Sequence, residues 1–235
     1  MTIKTYFQAS SHRFYGSVVA LIMLVLYETL IIWGELPNGG IVRNAPEAWL
    51  RSILSFIGVS HYYISFMLVT LALVTIPVFY RSGVTIKKSV IFGMVGEAIF
   101  WGIATGYIIR LFMVNLFMFS GEFSNSFLAN LGLAIGAGLF EELLFRVLLT
   151  TFLIYLFSQL FSNKFISILI SVVLASFLFS LVHYMGNMAD YFTISSFMFR
   201  FFAGFWFTLL YTVRGFAITC MAHAFYDISV IFFLS

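Results

Sequence analysis

The sequence predicts an all-α, polytopic membrane bundle of about seven to eight spanning helices, and three observations carry that prediction. Of its 235 residues, 62% are hydrophobic and only 9% charged, with a mean hydropathy of +1.06. Ordinary soluble domains carry about 25% charged residues, and a water-soluble fold could not bury this much apolar surface and still cover itself with polar groups. Second, the apolar residues fall in runs of about 20, the length that crosses a bilayer. Third, Lys and Arg punctuate those runs. The 31 Phe residues are expected to face acyl chains or to fill gaps between helices.

Seven runs are read in order: 14–34; 60–80, ending at Arg81; 89–109, between Lys87-Lys88 and Arg110; one within 126–157; 165–183, after Lys164; 191–212, before Arg214; and 216–234. The fourth is too long for one straight crossing. It either tilts or breaks near Gly132, Gly136 and Gly138 to give an eighth segment. The first run, Phe14 to Trp33, has spanning length and no small-residue cleavage site after it, so a cleaved signal peptide is not expected. Between the first two runs, Pro37, Asn38, Gly39, Gly40 and Pro46 make a loop. Trp49, Ile53, Leu54, Phe56 and Ile57 then form an apolar stripe beside Arg51, which predicts a short interfacial helix. The aromatic stretch 111–125, with Asn115, Gly121 and Glu122, also reads as interfacial. No repeats or soluble modules interrupt the chain, so 1–235 is read as a single domain, with N-terminal spans over 1–125 and a core over 126–235.

Net charge is +3, from 12 Lys+Arg against 9 Asp+Glu. That is too small and too scattered for a nucleic-acid surface. It does orient the chain. With seven spans, Lys4, Arg13, Arg81, Lys87, Lys88, Lys164 and Arg214 share one side and Arg43, Arg51 and Arg110 the other, which places the N-terminus in the cytoplasm of a cell-membrane protein. The lone cysteine, Cys220, allows no internal disulfide and reads as a small packing residue.

Polar residues at bilayer depth are costly and need a reason. Glu28, Glu97, Glu141, Glu142, Arg146, His183, Arg200, His223 and Asp227 are such residues. Glu142 and Arg146 are four apart with the acid first, the favoured order for a same-face ion pair. Glu141 is turned about 100° away on an α-helix and has no partner at helical spacing; a free carboxylate in a low-dielectric site suits general acid–base work. Phe179 and His183 share a face one turn apart, as do His223 and Asp227, an arrangement in which a carboxylate orients an imidazole. Glu28 is expected to snorkel at the outer rim. Glu97 and Arg200 pair across helices, or Arg200 receives a substrate carboxylate. Counted from the ends of the runs, Glu141 and His223 lie near mid-depth and His183 near the outer end, so the soft segment Tyr184-Met185-Gly186-Asn187 is expected to line a water-filled recess.

Glu-Glu-x-x-x-Arg, Phe-x-x-x-His and His-x-x-x-Asp, in that order on successive apolar segments, resemble the CAAX prenyl endopeptidase and bacteriocin-processing (CPBP, or Abi) family. The motifs are Glu141, Glu142 and Arg146; Phe179 and His183; and His223 and Asp227, within about 125–235. The resemblance implies an intramembrane endopeptidase. Glu141 with His183 would activate a water, His223 with Asp227 would face the oxyanion, Glu142–Arg146 would be structural, and Phe179 with Arg200 would lie near substrate. Val147 stands where the family often has Gly, and Asp227 where it often has Asn. An ionised Asp cannot donate to an oxyanion, so Asp227 is expected to act by orienting and charging His223.

The expected partners are the lipid bilayer and a hydrophobic or lipidated peptide. Two carboxylates and two histidines have the makings of a zinc site, but the spacing is not His-Glu-x-x-His, and no obligatory metal or other cofactor is expected. Two other classes compete. One is a non-catalytic scaffold or bacteriocin-immunity protein that keeps the fold. The other is a proton-coupled transporter, which would need broken helices in symmetric halves; no internal repeat is seen.

Overall fold

The computed structural model describes residues 2–34, 43–80, 85–112, 126–186 and 189–234. Residues 35–42 and 113–125, Arg81 and Asn187, on which some expectations fell, lie outside them. The described residues form helices α1 (Ile3–Ser10), α2 (Arg13–Trp33), α3 (Ala45–Phe56), α4 (His61–Tyr80), α5 (Lys88–Phe112) and α6 (Phe127–Gly136), a π-helix (Ala137–Thr150), then α7 (Thr151–Leu160), α8 (Lys164–Val182), α9 (Ile194–Arg214) and α10 (Phe216–Leu234). Six helical stretches are long and apolar enough to cross a membrane, and a seventh apolar helix, Phe216–Phe232, is shorter. The protein is a polytopic helical membrane protein.

The boundaries follow local chemistry. Ser126, Asn163 and Thr193 each turn a side-chain oxygen onto the first free N–H groups of α6, α8 and α9, the usual role of an N-cap. Gly215, at φ +76°, separates α9 from α10 with a single residue, a conformation that side chains disfavour.

The long fourth run does not break at its glycines. Residues 127–160 are helical throughout, 34 residues that would extend roughly 50 Å as α-helix against a hydrocarbon core of about 30 Å. Instead, the helix widens into the π form after Gly136, with Thr150 and Thr151 hydroxyls donating back five residues to the carbonyls of Phe145 and Arg146. The glycines serve close approach. A Cβ on Gly136 would lie 2.5 Å from Tyr27 of α2, and one on Gly138 would lie 2.5 Å from the Cys220 carbonyl and 2.9 Å from Ala224 of α10. The contact with Tyr27 and the contact with α10 together hold the π-helix between α2 and α10.

Helix α10 is the hub, packed against α5, the π-helix, α6 and α9. Half of its buried residues are small, with Ala217, Cys220, Ala222 and Ala224 at 3% exposure or less, so its neighbours approach closely there. Cys220 is buried packing, as expected.

Helix α3 is short and carries an exposed apolar end, with Phe56 92% exposed, but Arg51 is not an interfacial cation. It is buried and bonds Glu47 at 2.5 Å, Glu28 at 3.3 Å and Ser65 at 2.6 Å. Arg43 bonds Glu47 at 2.6 Å and Glu28 at 3.3 Å, and Tyr27 donates to Glu47. Glu28 therefore does not snorkel; two arginines hold it. At the other end of the bundle, Arg214 holds Glu97 at 2.5 Å and reaches Ser10 and Ser11, while Tyr6 donates to Glu97 at 2.6 Å. This replaces the expected Glu97–Arg200 pair and fastens α1 to the bundle.

Gly138→Ala is expected to destabilise the protein by about 1–3 kcal/mol, because its methyl meets backbone rather than a yielding side chain. Gly96→Ala, with nothing within 4 Å of its Cβ, is expected to be neutral or stabilising. Melting of the two variants in detergent checks the contrast.

Candidate active site

The π-helix decides the site's geometry. Hydrogen bonding from each N–H to the fifth residue back gives more than four residues per turn, so neighbouring side chains diverge by less than on an α-helix. Glu141 and Glu142, expected on separate faces, both reach the same imidazole. The Nδ1 of His223 lies 2.6 Å from Glu142 Oε1, and its Nε2 lies 3.9 Å from Glu141 Oε2. Glu141 has no ion-pair partner on its own helix among the described residues, and its neighbour is an imidazole from a distant helix.

Glu142 is fully buried and has two partners. The same Oε1 that meets His223 lies 3.1 Å from Arg146 Nη1, so the predicted ion pair forms and also aligns the histidine. Arg146 is fully buried too. Its guanidinium sits 4.5 Å over the Phe179 ring and 6.0 Å from that of Phe207, and Nη2 donates to the Gly204 carbonyl at 3.4 Å. Such cation–π contacts are stronger when desolvated. Of the two effects expected of Asp227, orienting His223 falls to Glu142, while Asp227 stays close enough to act on its charge. Its Oδ2 lies 3.6 Å from Nε2, on the nitrogen opposite to Glu142. Glu142 is the hydrogen-bonding partner and Asp227 a neighbouring counter-charge.

Each histidine rests on an aromatic ring. His223 is stacked on Phe207 at 4.5 Å and 16°. His183 stands edge-on to Phe179 at 4.9 Å, and its Nδ1 lies 2.7 Å from the Phe179 carbonyl. Phe179 is 5% exposed and packed by Phe145 and Arg146. It is a wall between Arg146 and His183 rather than an open substrate contact. Arg200 is also engaged within the protein, with Asp190 at 2.5 Å, Ser196 at 2.5 Å and Tyr184 at 2.7 Å.

Glu141 and His183 lie on opposite arms of a hairpin, one formed by the π-helix with α7 and the other by α8, and Glu141 acts electrostatically on His183. The described part of the segment expected to line a recess, 184–186, forms a turn. Tyr184 and Met185 donate to the carbonyls of Leu181 and Val182, and Gly186 takes φ +90°.

Among the described residues, no three His, Cys, Asp or Glu side chains are arranged to hold a metal ion, and the Nδ1 of His223 is turned to Glu142.

Phe207 and the double role of Glu142 were missed by sequence reasoning. Phe207 is one of many aromatics on α9 with no spacing to mark it, and Glu142 bonds His223 across 81 residues of chain.

Neither the solved structures nor the curated proteins yield a match to this chain. Residues 123–229 match the family described as type II CAAX prenyl endopeptidase Rce1-like. That segment contains the three motifs, the π-helix and most of α10, and over it the chain is similar to the CAAX prenyl endopeptidase family.

Proposed function

We propose that the protein is an intramembrane endopeptidase of the CAAX type, which hydrolyses a peptide bond of a hydrophobic or lipidated peptide with a water activated by Glu141. The observation that carries this reading is the placing of Glu141. Its carboxylate lies 3.9 Å from Nε2 of a histidine whose other nitrogen is already held by Glu142, and it acts electrostatically on His183.

The chemistry follows from the bonding of each ring. His183 donates Nδ1–H to the Phe179 carbonyl, which leaves Nε2 as the acceptor of a neutral imidazole. Glu141, assisted by that acceptor, takes a proton from water as its oxygen attacks the scissile carbonyl carbon. His223 donates Nδ1–H to Glu142, and its Nε2–H is the donor for the oxyanion that forms. Asp227, 3.6 Å away, is a counter-charge for the imidazolium, consistent with an aspartate that cannot itself donate. When the C–N bond breaks, the proton taken by Glu141 passes to the leaving amine. The products are a carboxylate and an amine.

The direct test is hydrolysis of an internally quenched, prenylated peptide by the purified protein in lipid nanodiscs. Glu141→Ala and Glu141→Gln are expected to lower kcat by at least about 100-fold, with melting unchanged. Full activity in Glu141→Ala would refute the mechanism, and a scaffold would keep its cellular phenotype in that variant. Hydrolysis is expected to persist after treatment with a zinc chelator; a loss restored by added zinc would replace the carboxylate scheme. Arg146→Ala leaves Glu142 buried without its cation and is expected to cost about 3–5 kcal/mol of stability, read by melting. The paired change Glu142→Gln with Arg146→Met is expected to recover part of that stability without restoring hydrolysis.

A further inference from the structure

We propose that Arg200 is a positioning residue for His183, anchoring through Tyr184 and Asp190 the end of α8 that carries this imidazole. The proposal rests on the peptidase reading and adds to it a group outside the three motifs. His183 occupies the C-cap of α8, just past the last helical residue. Helix ends fray, and their last carbonyls lack helical partners. A reacting group there is a liability, since a displacement of about 1 Å costs on the order of 100-fold in rate.

The structure fixes this end from both sides. Tyr184, the next residue, receives Arg200 Nη1 on its hydroxyl at 2.7 Å and donates to Ser196 at 2.9 Å. Asp190, where the chain returns, donates its N–H to the His183 carbonyl at 2.9 Å and holds Arg200 Nη2 through its carboxylate at 2.5 Å. The guanidinium lies 5.2 Å from the Tyr184 ring. One planar cation on α9 therefore grips both the residue after His183 and the residue bonded to its carbonyl. A lysine ammonium is a point charge and lacks the fork that spans the two. Because Asp190 occupies the guanidinium, Arg200 is not the free receptor for a substrate carboxylate that the sequence alone allowed.

Two readouts test this on the full chain in nanodiscs. The first is hydrogen exchange at the Asp190 amide, which does not depend on activity. Arg200→Met is expected to speed it by about 10-fold or more while amides within α8 keep their protection. The second uses the quenched, prenylated peptide. Arg200→Met and Asp190→Asn are expected to lower kcat by about 10-fold or more with KM little changed, and Arg200→Lys to fall between. Unchanged exchange at Asp190 overturns the proposal. So does a raised KM with kcat kept, which would make Arg200 a substrate contact. If the unaltered protein cleaves nothing, the peptidase reading fails, and the exchange result alone decides whether Arg200 holds the turn.

Discussion

A single fully buried carboxylate, Glu142, supports the geometry of the site. Its Oε1 meets the imidazole of α10 at 2.6 Å and the guanidinium of its own helix at 3.1 Å. Removing a charge from water costs several kcal/mol even after relaxation, and lipid offers no compensating hydrogen bonds. The carboxylate is tolerable where it is because a guanidinium and an imidazole converge on it. The pair is not saturated: Glu142 Oε2 and Arg146 Nε have no hydrogen-bonding partner among the described residues. Unsatisfied buried groups cost roughly 1–3 kcal/mol each. An assembly kept at that expense is more readily understood as a site than as a means of stabilising the bundle.

The site depends on how closely helices approach. The contacts of Gly136 with Tyr27 and of Gly138 with the Cys220 carbonyl bring α2, the π-helix and α10 nearer than side chains with a Cβ would permit. Without hydrophobic driving force between helices in lipid, close packing through small residues is a main source of association. The same approach places His223 within hydrogen-bonding distance of Glu142. The wide turn of the π-helix then aims both neighbouring glutamates at one ring. π-Helical turns are often found at functional sites, and here the reason is geometric.

The N-terminal half has a definite structural task. The network of Glu28, Arg43, Glu47 and Arg51 holds α3 against the bundle, and Tyr27, bonded to Glu47, packs its ring on Phe140 beside the glutamate pair. At the opposite end, Arg214, Glu97 and Tyr6 tie α1 to α5 and α9. Charges in these two networks are paired within the protein, so they mark attachment points, whereas Glu141 faces imidazoles without a cation bonded to it.

The sequence by itself determined the class of fold, the order of the spans and the three motifs, because apolar run length and residue identity are local properties that lipid imposes directly. It also identified the Glu142–Arg146 pair, since four-residue spacing leaves the two side chains on one face in either kind of helix. Only the tertiary structure decided that residues 127–160 continue unbroken, that Glu141 and Glu142 share His223, that Asp227 faces the other nitrogen, and that Glu28, Glu97 and Arg200 pair with Arg43 and Arg51, Arg214 and Asp190. Each of these depends on a change of helical pitch or on a contact between distant stretches of chain. Periodicity measured on an ideal α-helix carries no information about either.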